Sequence, residues 1–322
     1  MLFLAGQNLL TPMILCFVLG LVAALARSEL TVPEAAAKAM ALYLLFAIGF
    51  KGGVAVSDHG FEGQLFAALA GGMFLSFGLP FVAFALLRLM TRLSPLDAAA
   101  VAAHYGSISI VTFVTASAML TAIGITAEGY MVAVAAAMEA PAIISALWLA
   151  ARTGNGARLD ARLWHDIFLN GSIVLLVGAF AIGLITGADG MARIDSFIVT
   201  PFQGVLCLFL LDMGLVAGRG LRGSSNALGV GALAFGLVMP IIAAAFGLAV
   251  ALALGMSVGG SALMMTLAAS ASYIAVPAAM RVALPEANPA LSLTLALGVT
   301  FPFNLIFGIP AYIAVAQAFG GA

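Results

Sequence analysis

Nearly all the charge of this 322-residue chain is crowded into short breaks between ten apolar stretches. The stretches run approximately over 5–26, 38–57, 64–87, 95–121, 129–151, 168–188, 196–217, 227–253, 258–283 and 291–318. Crossing about 30 Å of hydrocarbon takes roughly 20 such residues in a helix, and only helices and closed barrels satisfy their own backbone there. Composition agrees: 64% of residues are hydrophobic, 8% are charged, and the mean hydropathy is +1.20. A soluble domain carries about 25% charged residues. The expected fold is therefore an all-α polytopic membrane protein of about ten transmembrane helices. A net charge of −1 leaves no basic face for nucleic acid. Cys16 and Cys207 both lie in apolar stretches and read as small buried hydrophobes. The first stretch lacks a charged lead-in and an A-x-A exit, so no cleavable signal is expected.

The chain also aligns with itself when shifted by 165 positions, which sets Gly49 on Gly214, Gly53 on Gly218, Ser107 on Ser272 and Glu139 on Asn304. Two copies of one unit are expected: residues 1–152, a short cytoplasmic linker 153–167, and residues 168–322. With the N-terminus outside, the odd loops hold Arg27, Lys38, Arg88, Arg92, Arg152, Arg158, Arg162, Arg219, Arg222 and Arg281. The even loops hold only Arg193, and Lys51 lies within span 2. That bias places both termini outside. Five spans per copy is an odd number, so the second copy is predicted to enter the membrane upside down. An alternative threading merges or drops a span near 95–121 or 258–283, where polar clusters interrupt the apolar runs. Duplications of this kind usually build carriers, with the ligand at the seam between copies.

Two intramembrane polar clusters sit in equivalent places: His104-Tyr-Gly-Ser-Ile-Ser109 in span 4, and Ser270-Ala-Ser-Tyr-Ile-Ala-Val-Pro277 in span 9. Glycine and proline there permit a helix break, and backbone N–H groups at a break bind a small anion without lysine or arginine. The competing reading is that these serines bond back to carbonyls one turn earlier and simply let helices pack. The same packing reading is favoured for the G-x-x-x-G pairs Gly49/Gly53 and Gly214/Gly218, and His104 reads as a satisfied interior group. Lys51, Glu139 and Asp212 are charges inside spans. Each costs about 2.5–3.5 kcal/mol at a helix centre, so each should face the interior with a partner or a task. Glu139 precedes Pro141, which frees a carbonyl; with neighbouring hydroxyls this is the hard-oxygen cage that Na⁺ or H⁺ prefers. Asn304 offers an amide oxygen after Pro302. Glu139 could equally be a proton-bearing or lysine-paired structural residue, and Asp212 could pair with Lys51.

Several segments resemble the sodium-dependent bicarbonate transporter family of cyanobacteria: Leu-Thr-Val-Pro-Glu34, Gly49-Phe-Lys-Gly-Gly-Val-Ala55, Met138-Glu-Ala-Pro141, Leu211-Asp-Met-Gly214 and, above all, Ala271-Ser-Tyr-Ile-Ala-Val-Pro277 with Arg281 and Pro285-Glu-Ala-Asn-Pro289. The resemblance implies a carrier of two inverted five-helix repeats, divided into core and gate domains. It further implies a homotrimer in the cell inner membrane that moves bicarbonate inward with Na⁺, inhibited in some members by a PII-like cytoplasmic protein. Carried over by position, Gly106, Ser107, Ile108 and Ser109 with Ala271, Ser272 and Tyr273 would hold bicarbonate. The cation would sit near Glu139, with Ser270, Asn304 and Asp212 as further candidates. Where the family has Ser-Gly-Ser-Thr, this chain has Ser107-Ile-Ser-Ile110, which opens the question of anion size.

The expected activity is Na⁺-coupled bicarbonate uptake by an elevator-like alternating-access carrier, with Na⁺ as coupling ion and no cofactor or transition metal. The alternatives are a carrier of the same fold for another small organic anion, and a passive anion channel. An enzyme is not expected, because H-E-x-x-H, G-x-S-x-G and paired catalytic aspartates are all missing from the sequence.

Overall fold

The computed structural model describes residues 12–59, 63–152, 171–223, 229–273, 276–277, 280, 284 and 286–319. The expected linker 153–167, with Arg158 and Arg162, lies outside the described residues, as do Arg281 and the first residues of span 1. Among the described residues all regular structure is helical. The first half contains α1 (Pro12–Leu25), α2 (Glu34–His59), α3 (Gly63–Met90), α4 (Pro95–Gly106), α5 (Ile110–Ala122), α6 (Met131–Ala137) and α7 (Glu139–Arg152). The second contains α8 (Gly171–Ile198), α9 (Phe202–Gly223), α10 (Val230–Ala253), α11 (Val258–Ala269) and α12 (Pro289–Phe319). Among the described residues, eight stretches are long and apolar enough to cross a bilayer, with α4–α5 and α6–α7 each counting as one; α1 and α11 are shorter apolar helices. Among the described residues the ten expected spans thus recur as ten helical units, and spans 4 and 9 are not dropped.

Local chemistry starts the interior helices. Ser94 Oγ accepts the Asp97 N–H at 3.0 Å ahead of Pro95, whose missing N–H costs nothing in a first turn. Ser257 Oγ does the same for Gly260 at 3.0 Å in α11, and Asn288 Oδ1 for Ala290 at 3.0 Å in α12. Burial then separates the helices by role. In the stretch Pro95–Ala122, 94% of the apolar window is buried within the protein, against 11% in Val177–Ile198. So α4 and α5 lie at the centre, whereas α8 presents most of its surface outward, to lipid.

Lipid tails are as apolar as leucine, so helices in a membrane are held by close packing rather than by escape from water. Here α1 packs along α9, and α8 along α2. Each pair is closed by glycines. A Cβ on Gly214 would strike the carbonyl of Phe17, and one on Gly20 the carbonyl of Leu211. A Cβ on Gly53 would strike the carbonyl of Phe180, and one on Gly183 that of Phe50. The two pairs make the same contacts with the halves exchanged.

These contacts correct the register read from the sequence. Gly53 does what Gly214 does, which is a shift of 161 rather than 165 positions, and Phe17 does what Phe180 does, a shift of 163. The caps Ser94 and Ser257 are also 163 apart, as are the helix ends Gly106 and Ala269. Ser107 therefore corresponds to Ser270 and Ser109 to Ser272. Insertions in the loops let the register drift from element to element, and a gap-free alignment averages over them.

Span 6 ends where the sequence suggested: the helical run Gly171–Ile198 is interrupted at Gly187, one residue before the expected end at 188. Gly187 (φ 54°, ψ −151°) takes a backbone conformation that side-chain-bearing residues rarely adopt, and it redirects the helix there. The segment beyond it carries exposed Asp189, Arg193 and Asp195 and leads into α9.

Candidate functional site

Both central helices break where the sequence suggested. After α4 the chain is extended at Ser107 (φ −85°, ψ 162°), and α5 begins at Ile110, with Ser109 as its cap and Ser109 Oγ accepting the Thr112 N–H at 3.2 Å. After α11 the chain is extended at Ser270 (φ −80°, ψ 162°), and helical turns resume at 276–277. The two breaks meet. Ser109 N–H donates to Ser270 Oγ at 2.9 Å, and Ser272 N–H donates to the His104 carbonyl at 2.8 Å. His104 Nδ1 lies 2.6 Å from the Ser272 carbonyl. Ser107, Ile108, Ser109, Ser270, Ala271, Ser272 and Tyr273 are all buried. Irregular backbone at such depth survives only when packed in protein or lining a cavity, and here it is packed against its own counterpart. Two of the N–H groups expected to be free for an anion, those of Ser109 and Ser272, instead tie the two segments together.

The first break faces a carboxylate. Ser107 Oγ donates to Glu139 Oε2 at 3.2 Å, and Glu139 is 5% exposed. A hydrogen bond to a charged group contributes about 1.5–3 kcal/mol, comparable to the cost of placing that charge in the membrane. Glu139 sits where the helix is interrupted between α6 and α7. Pro141 lacks an N–H, and the hydroxyl of Ser76, on α3, bridges the opening: it donates to the Met138 carbonyl at 2.5 Å and accepts the Ala142 N–H at 3.2 Å. Ser76 is a member of the site that the sequence did not announce. It is an ordinary small residue on another helix, 62 positions from Met138.

The second break faces neutral groups. Asn304 Nδ2 donates to the Ala269 carbonyl at 2.8 Å, the last carbonyl of α11, and Asn304 Oδ1 accepts the Tyr312 hydroxyl at 2.9 Å. Its amide is thus occupied on both sides. Asn304 opens the second of two π-helical turns in α12, Thr294–Thr300 and Asn304–Gly308, which flank Pro302. Thr300, in the first, donates to the Gly236 carbonyl and lies 2.7 Å from the Tyr105 hydroxyl, tying α12 to α10 and α4. Tyr273 stacks edge-on against Phe301 at 5.5 Å, and its hydroxyl is buried.

The cluster thus gathers Gly106–Ser109, Ser270–Tyr273 and Glu139, with Asn304 behind the second break. Asp212 is not part of it. It is buried on α9, and the charge acting on it is Arg219 of the same helix. Nor does it pair with Lys51, whose ammonium lies 4.3 Å over the ring of Phe202. Ile108 is fully buried in the apolar core. His104 is the satisfied interior group that the sequence suggested. Two cavities flank the crossing. One of about 1030 Å³ is lined by Lys38, Arg219, Phe209 and Tyr273, among others; one of about 490 Å³ is lined by Lys51, Ser117, Glu128 and Phe202. α2 and α9 line both cavities, one cavity toward each end of the helix.

A buried meeting of two helix breaks beside a carboxylate, between two cavities, is an arrangement for handling small ions within a membrane. No curated protein matches this chain. Residues 12–317 match the family described as the Na⁺-dependent bicarbonate transporter superfamily. The chain belongs to that superfamily.

Proposed function

We propose that this protein couples Na⁺ entry to bicarbonate uptake by alternating access. The carrying observation is the bond between Ser107, at the end of α4, and the buried carboxylate of Glu139. It puts a cation-attracting group beside the meeting of the two helix breaks. Bicarbonate occupies the seam between Ser107–Ser109 and Ser270–Tyr273. Na⁺ takes oxygens of Glu139 and Ser107. Na⁺ screens the Glu139 carboxylate from the bicarbonate beside it, so each ion lowers the electrostatic cost of holding the other.

The halves 1–152 and 168–322 are inverted repeats in this reading, and the reciprocal glycine contacts of α1 with α9 and α8 with α2 support it. Those four helices form the gate, and α3–α7 with α10–α12 form the moving core. With both termini outside, the larger cavity opens to the cytoplasm and reaches Tyr273, which makes this an inward-facing arrangement. The resemblance adds a homotrimer, tested by light scattering of the purified protein, and a PII-like regulator, tested by pull-down. The decisive experiment is ¹⁴C-bicarbonate uptake into proteoliposomes. Saturable uptake accelerated by an inward Na⁺ gradient is expected. Uptake indifferent to Na⁺ removes the coupling, and flux that never saturates replaces the carrier by a channel.

A further inference from the structure

The smaller cavity, of about 490 Å³, contains a charge for which the crossing site has no use. Lys51 is half-buried in the wall that α2 contributes, and its described contact is with the Phe202 ring rather than a carboxylate. The other charge lining that cavity is Glu128, and it is engaged elsewhere: Oε1 accepts the Ser257 N–H at 2.8 Å and Oε2 the Ser257 hydroxyl at 2.9 Å, at the start of α11. That end of the helix is partially positive, so Glu128 is balanced where it is. Among the described residues Lys51 is left with a cation–π contact, which holds the ammonium but does not cancel its charge. An uncompensated ammonium between apolar walls focuses a positive potential into the space before it.

We propose that Lys51 recruits the substrate anion: it concentrates small monovalent anions in this cavity. The inference rests on the carrier reading above, but the potential it asserts can be measured without transport. Lys51 also stands on the side of the molecule opposite the Lys38 and Arg219 cavity, so each cavity has its own basic group.

The test uses the full chain in nanodiscs, with Cys16 and Cys207 replaced by alanine and a reporter Ser117→Cys placed in the cavity. Thr121→Cys serves as a second reporter if the first fails to fold. Reaction rates with an anionic and a cationic methanethiosulfonate are compared. The anionic-to-cationic ratio is expected to fall about tenfold on Lys51→Gln, to stay near its starting value on Lys51→Arg, and to shrink at high salt. In parallel, Lys51→Gln should raise the bicarbonate KM about threefold at low ionic strength with little change in maximal rate. A ratio unmoved by Lys51→Gln overturns the proposal, and so does a fall in the ratio with no change in KM. If the unmodified protein takes up no bicarbonate, the failure lies with the assigned substrate, and the ratio still decides whether Lys51 charges the cavity.

Discussion

The two chain breaks are alike in backbone and unlike in what surrounds them. Ser107 and Ser270 end their helices at nearly the same torsions, and each sits in a fully buried segment. Beyond that they diverge. The first is met by a carboxylate with a single hydroxyl donor, and the second by an amide whose donor and acceptor are both taken. One backbone geometry occurs twice, and the facing residue, Glu139 or Asn304, gives each occurrence its own chemistry. On the function proposed, a cation settles at the first break only, whereas an anion uses both.

The largest expected consequence concerns Glu139. Glu139→Gln keeps the shape and the bond to Ser107 but removes the charge, and should raise the Na⁺ concentration for half-maximal uptake by about tenfold or more. An unchanged value would remove the carboxylate from the cation site and make the two breaks functionally alike. Next comes stability on the neutral side. Asn304→Leu strands the Ala269 carbonyl and the Tyr312 hydroxyl in the interior, so the purified protein should lose about 2–4 kcal/mol of stability, read as a lower melting temperature. Asn304→Asp should lower it less, because the Tyr312 bond persists.

The serines follow. Ser107→Ala should weaken bicarbonate affinity about fivefold and also disturb Na⁺ dependence, since its hydroxyl touches Glu139. Ser272→Ala loses only a long 3.4 Å contact from Val276 N–H, so it should raise the bicarbonate KM about two- to threefold with Na⁺ dependence intact. Equal effects of both substitutions on Na⁺ would erase the difference between the breaks. Wild-type uptake by both would make the serines packing residues.

Much of this was legible in the sequence for a physical reason. Charge is so costly in a bilayer that its position along the chain nearly dictates the spans, and serine beside glycine in an apolar run marks where a helix can open. Glu139 stood out because a carboxylate before a proline has few structural uses at that depth. Register was less legible. A shift of two residues leaves Ser-x-Ser aligned with Ser-x-Ser, so Ser107 matched Ser272 in sequence while matching Ser270 in space. Ser76 was invisible because its role arises from a contact between helices, with no local pattern to mark it. Asp212 was legible only as a buried charge, because depth in the membrane does not say which way a helix faces. Asn304 was half legible: Tyr312 lies eight residues on, about two turns along the same face, and a partner there could have been anticipated.

Shared occupancy of the crossing by cation and anion is tested most directly by calorimetric titration of bicarbonate into the purified protein in Na⁺ and in K⁺, with the converse titration of Na⁺ at saturating and at zero bicarbonate. Linkage requires the two ions to tighten each other by one common factor. That factor should be about tenfold or more in the natural protein and close to one in Glu139→Gln. Bicarbonate binding of equal strength in Na⁺ and K⁺ would contradict a common site at the meeting of the two breaks.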